Sequence, residues 1–150
     1  MPNAHTLTAD QQRSLRCLAD RIIPASVKYG IPGAGDDSIF TDILRSFGQD
    51  AHHVRDVLQT LDRLSGGVFA DLPPARQTAV AAQLRDHGGT ALTMVSRIVL
   101  LCYYRDDRVM RSLDMETRPP FPMGFEMEQG DWSLLDPVRR RAPFYRKVPS

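Results

Sequence analysis

Gly30-Ile31-Pro32-Gly33-Ala34-Gly35-Asp36-Asp37, GIPGAGDD, places three glycines within six residues, ahead of an acidic pair. Its reading decides the fold. A phosphate cradle would lie between a strand and a helix and would imply a wound α/β sheet. A turn between two helices would imply a bundle. The dinucleotide fingerprint is G-x-G-x-x-G after a strand, and the ATP loop is G-x-x-x-x-G-K-[ST]. Here the order is G-x-x-G-x-G, and no Lys-Ser or Lys-Thr follows Gly35. Asp36 and Asp37 would repel phosphate where a helix N-terminus would attract it. The glycines therefore read as a turn and the aspartates as a helix cap.

The flanking sequence supports the turn. On its N-terminal side, Thr8-Ala9-Asp10-Gln11 has the form of a capping box. Leu15, Leu18, Ala19 and Ile22 follow at helical spacing, and Pro24 ends that helix. On its C-terminal side, Asp36, Asp37 or Ser38 can cap a second helix with Ile39, Phe40, Ile43, Leu44 and Phe47 inward, closed by Gly48. A third helix from Asp50 carries Val54, Val57, Leu58, Leu61 and Leu64 and ends at Gly66-Gly67. A fourth runs from about Pro74 to Asp86, with proline in the first turn and Val80, Ala81 and Leu84 inward. Thr90 can cap a fifth helix with Leu92, Val95, Ile98, Val99 and Cys102 inside. Its flanks are apolar too, which predicts a central helix. A short helix over Arg108 to Leu113 closes the series.

From residue 114 the pattern changes. The last 37 residues hold six of the eleven prolines, with Phe121, Phe125, Trp132, Phe144 and Tyr145 at intervals. No helical or strand period survives. Aromatics spaced in this way predict a chain laid extended over a surface, either its own bundle or another protein. The fold class is thus all-α. A compact bundle of about five helices over 1–113 and an extended Pro/aromatic-rich tail over 114–150 form a single domain, 1–150.

Composition narrows the function. Apolar residues make up 42 % of the 150, charged residues 25 %, and formal net charge is +1. No overall field favours nucleic acid or an anionic membrane. The most apolar run, Ile98 to Tyr104, is far shorter than the ~20 residues of a membrane span. The start of the chain shows no signal pattern or twin arginine, which predicts a cytoplasmic protein. Cys17 and Cys102 lie in apolar helical patterns and read as reduced core thiols, with no CxxC unit. His52 and His53 are adjacent and cannot meet one metal from a helix face; His5 and His87 stand apart. Asp62, Asp71 and Asp106 could pair only through tertiary convergence. No nucleophile elbow occurs. No catalytic, cofactor or metal residue is assigned.

Two stretches besides the glycine loop carry a resemblance. LRCLADRIIPAS, Leu15 to Ser26, precedes the GIPGAGD turn. YYRDDRVMRSLDM, Tyr103 to Met115, precedes RPPFPMGF, Arg118 to Phe125. In this order they resemble the small subunit (subunit 3) of bacterial flavin-dependent gluconate 2-dehydrogenases and of related sugar and alcohol dehydrogenases. The resemblance implies an all-helical subunit without its own cofactor. It also implies a large partner of the glucose–methanol–choline oxidoreductase type that carries FAD and oxidises a hydroxyl. Many relatives bear an export signal on the small subunit. This chain departs there, and a periplasmic site would need a signal-bearing partner. The interface expected is Phe121, Pro122, Phe125 and Trp132, with Phe144 and Tyr145. Arg139, Arg140 and Arg141 stand at its rim, and Tyr103, Tyr104 and Arg105 rank second. The alternative is a helical adaptor or regulator that binds an unrelated partner through the same tail.

Overall fold

The computed structural model describes residues 7–117 and 129–142. The chain divides into two units, Met1–Thr117 and Arg118–Ser150. Among the described residues every regular element is helical, and the fold is all-α.

The first unit holds α1 (Ala9–Ile22), α2 (Asp37–Ser46), α3 (Ala51–Ser65), α4 (Pro74–His87), α5 (Thr90–Tyr103) and α6 (Asp107–Ser112). Each end has a local cause. At α1, the Gln11 N–H donates to Thr8 Oγ1 at 3.2 Å and the Thr8 N–H donates to Gln11 Oε1 at 2.9 Å. That reciprocal pair satisfies two of the donors a helix start leaves open and is worth about 1 kcal/mol. Asp36 caps α2 through the Ser38 N–H at 3.1 Å. Gly66, left-handed at φ 71°, closes α3. Pro74 opens α4 at its first position. At α5 the N-cap is Gly89, at φ 104°, and Thr90 is the first helical residue. The cap expected at Thr90 therefore moves back by one position. The Thr93 hydroxyl instead donates to the Gly89 carbonyl at 3.1 Å.

One core lies between these helices. Leu15 and Leu18 of α1, Ile39 and Ile43 of α2, and Val54, Leu58 and Leu61 of α3 meet Val80 and Leu84 of α4 and Val95 and Val99 of α5. Each such side chain contributes about 1.5–3 kcal/mol by leaving water. Phe69, in a single 3-10 turn over Phe69–Asp71, is fully buried and plugs the space beside α1. Its turn is stitched by buried polar groups. The Ala70 N–H donates to Ser14 Oγ, and Gln77 Nε2 donates to the Ala70 carbonyl, both at 3.3 Å. Two buried polar side chains thus enter the core with partners, as their desolvation demands.

α5 packs mainly on α3 and α2, and also meets α1. Its outer side is at the surface, with Leu100 41 %, Leu101 57 % and Tyr104 54 % exposed. The expected central helix is therefore a face of the bundle. Its apolar flanks are too numerous for the neighbours that the short connections bring to it.

The second unit holds a 3-10 turn, Trp132–Leu135, running into α7 (Asp136–Arg139). A fully extended tail was expected here. Asp131 instead caps the turn through the Ser133 N–H at 3.0 Å, and Pro137 sits in the first turn of α7, where proline is welcome.

Candidate functional site

The glycine loop is the first place to look for chemistry, and it is occupied by the protein's own carboxylate. Asp20 projects from α1 into the loop, and Oδ1 accepts the Gly35 N–H at 2.8 Å. A Cβ at Gly33 would lie 2.6 Å from Asp20 Oδ1 and 2.8 Å from the Ala25 nitrogen. A Cβ at Gly35 would meet both oxygens of the same carboxylate. The two glycines are thus required by close approach, not by a ligand. Gly30 has a different role. At φ 63° it turns the tip of a small hairpin, in which Ser26 and Ile31 exchange backbone hydrogen bonds at 3.0 and 3.1 Å.

The aspartates after the loop are also engaged. Arg16 donates from Nε to the Gly35 carbonyl at 2.7 Å and pairs with Asp37. Arg108 of α6 reaches Asp36 at 2.7 Å and Asp106 at 3.0 Å, and donates to Ser38 Oγ at 2.8 Å. Asp36 and Asp106 are the N-caps of α2 and α6, so one guanidinium ties two helix starts together. The Arg108 hydrogen bond holds the Asp36 carboxyl down at about 2 and lowers that of Asp106 as well. Tyr103 completes the clasp. It is buried, and its hydroxyl donates to the Pro32 carbonyl at 3.1 Å.

A second polar cluster surrounds Cys102. Arg105 donates to Asp42 at 2.7 Å, to Ser46 Oγ at 3.1 Å and to Cys102 Sγ at 3.4 Å, and the thiol in turn donates to Ser46 Oγ at 3.4 Å. Burial pushes the thiol pKa up, so it stays protonated at neutral pH and is a poor nucleophile. Cys17 and Cys102 are both free thiols. His52 Nδ1 lies 3.0 Å from the Gln49 carbonyl, to which it can only donate, and its ring stacks beside His53. Asp71 receives Arg13, away from Asp106. Among the described residues no group of three His, Cys, Asp or Glu side chains could hold a metal ion, and no helix is long and apolar enough to cross a membrane.

The expected interface residues fall into three sets. Tyr103 is in the core and has no surface to offer a partner. Burial also raises its phenol pKa. Tyr104 is exposed and edge-on to it, with ring centroids 5.3 Å apart; Arg105 is exposed but paired with Asp42. Trp132 is 63 % exposed with Nε1 towards Gln129 Oε1 at 3.4 Å, and Arg139, Arg140 and Arg141 are exposed on and after α7. Phe121, Pro122, Phe125, Phe144 and Tyr145 lie outside the described residues. Sequence reasoning missed Asp20, whose only signal was the paired glycines that make room for it. It also missed the bare side of α5. There the signal was Leu100-Leu101, one position off the inward stripe.

Comparison with models of known protein families, with curated proteins and with solved structures gives no match.

Proposed function

We propose that this chain is the non-catalytic small subunit of a flavin-dependent oxidoreductase. It would bind and stabilise a large FAD-carrying subunit of the glucose–methanol–choline type that oxidises a hydroxyl of a sugar or another alcohol. One observation carries the reading. Of the stretches that resemble the small-subunit family, two lie close together before residue 38 and one begins at Tyr103, and these three are bonded to one another in space. Leu15–Ser26 supplies Asp20, Gly30–Asp37 supplies Gly35 and Asp36, and Tyr103–Met115 supplies Tyr103, Asp106 and Arg108. Residues that recur together for a shared fold are those that depend on one another sterically and electrostatically. A glycine pair fitted to one carboxylate and an arginine shared by two caps have that character.

On this reading the chain's own residues shape a surface and carry no cofactor. The flavin and the reacting groups belong to the large subunit, and the exposed Trp132 and Arg139–Arg141 stand among the groups that would touch it. The test is expression of the large flavoprotein encoded beside this chain, with and without it. Soluble, flavin-loaded, active enzyme should appear only with the small subunit present. Full activity and flavin content without it would overturn the proposal. Deletion of residues 115–150 sharpens the test: the remaining bundle should stay soluble and lose the flavoprotein.

A further inference from the structure

The outer side of α5 joins apolar exposure to unpaired positive charge. Arg97, Leu100, Leu101 and Tyr104 are spaced i, i+3, i+4, i+7 and share one helical face. The inward set, Val95, Ile98, Val99 and Cys102, occupies the other. Beside the outer face, α4 and α5, with the end of α1, enclose two adjoining hollows of about 410 and 520 Å³, which share Arg85, Leu92 and Ser96 and so form one trough. Its walls carry Arg21, Arg85 and Arg97 and no carboxylate.

Among the described residues some cations of the bundle are paired, while Arg45, Arg55, Arg63 and Arg76 have no ion pair. Arg13, Arg16, Arg105, Arg108 and Arg111 each pair with an aspartate on another turn or another element. Among the described residues Arg97 has no ion pair, Arg21 donates only to Thr78 Oγ1 at 3.3 Å, and Arg85 reaches only its neighbour Asp86 at 3.4 Å. Three arginines thus line one trough beside the exposed leucines of α5, with no carboxylate in its walls. Arginines around exposed leucine and tyrosine have the composition of a protein interface.

We propose that the α4–α5 trough, with the outer face of α5, seats an amphipathic helix of a partner protein whose apolar stripe is flanked by Asp or Glu. A helix fits because it satisfies its own backbone groups. The described residues offer no strand edge to pair an extended peptide. Acidic flanks fit because the trough walls carry three arginines and no carboxylate. A second copy of this chain fits poorly, because a two-fold contact would set this arginine-rich face against itself. The proposal does not depend on the partner carrying a flavin.

The test places a benzophenone amino acid at Leu101 in the full chain, in cells of the source organism, and maps the photo-adduct by mass spectrometry. The adduct should lie in a protein segment with apolar residues three and four apart and at least two flanking carboxylates. Arg97→Glu should cut its yield about tenfold, in line with close charge pairs at interfaces. Should Arg97→Glu disturb folding, Arg97→Gln replaces it, with a several-fold loss expected. An adduct on lipid, on a second copy of this chain, or on a segment without carboxylates would overturn the proposal. So would no adduct, or a yield indifferent to residue 97. A mapped segment in a protein without flavin would keep this surface and overturn the function proposed above.

Discussion

The loop around Asp20 and the outer face of α5 belong to one bundle and treat their side chains in opposite ways. In the loop every named group has found a partner within the chain. Asp20 holds the Gly35 N–H, Arg16 holds the Gly35 carbonyl, and Arg108 spans Asp36 and Asp106. On α5, Leu100, Leu101 and Tyr104 face water and Arg97 has no ion pair among the described residues. The contrast teaches where to look for structure and where for function. A polar network that closes on itself is consumed by stability. Surface that stays apolar and unmatched is left for another molecule. The loop that looked most like a site is therefore the scaffold, and one side of the helix that looked most like core is surface.

Substitutions can break that comparison. The largest effect is expected at Gly33. Its new Cβ would press on the Ala25 nitrogen as well as on Asp20, so backbone must shift, and Gly33→Ala should cost about 3 kcal/mol. In a chain of this size that lowers Tm by roughly 6–12 °C. The three atoms nearest a Cβ at Gly35 all belong to the Asp20 side chain. Gly35→Ala should cost about 2 kcal/mol alone and under ~0.5 kcal/mol in an Asp20→Ala background. Gly33→Ala should gain little from the same background. Thermal unfolding of the five variants decides it, and equal rescue of both glycines would remove Asp20 from the centre of the loop.

Arg108 comes next. Arg108→Met leaves Asp36 and Asp106 without their shared cation and should cost about 1–2 kcal/mol at neutral pH, the value being held down by its half-exposed position. The sign with pH follows from the lowered Asp36 carboxyl. Its folded value of about 2 lies below the ordinary 3.8, so its contribution is complete above pH 3.8 and fades as pH falls towards 2. Urea unfolding at pH 7, 4 and 2.5 should show the wild type and Arg108→Met converging between the last two. A gap that persists at pH 2.5 would mean that packing, and not charge, sets the role of Arg108.

The smallest expected effect lies on the other side of the comparison. Leu101→Ser removes an exposed leucine from a helix and should change stability by no more than ~0.5 kcal/mol. Leu58→Ser, one helix away and buried, should cost several times more. If Leu101→Ser were as damaging as a core change, the outer face of α5 would not be free surface.

Much of the bundle was legible because its signals are local. The Thr8–Gln11 capping box, the Asp36 cap, Pro74 in the first turn of α4 and the glycine after α3 act within a few residues of themselves. Inward residues at helical spacing, such as Val54, Val57, Leu58 and Leu61, came out buried because period and face are the same fact for a helix. The candidate site was less legible. Tyr103 and Tyr104 are neighbours of like chemistry, and only the direction of packing sends one to the Pro32 carbonyl and leaves the other in water. Trp132 to Arg139 turned helical through an Asp cap and a proline at the start of α7, a weaker signal than the prolines around it.

The sequence by itself determined an all-helical chain, the order of its elements, most of their ends, and the turn and cap in GIPGAGDD. Those conclusions rest on hydrogen bonds and periods that span fewer than about ten residues. Tertiary structure alone decided what the glycines embrace, which arginine joins which caps, and which side of α5 stays bare. Each of these depends on groups brought together across the fold: Asp20 with Gly35, Arg108 with Asp36, and α5 with α1, α2 and α3. A one-dimensional pattern records how apolar a face is. It does not record how many partners the fold supplies to cover it.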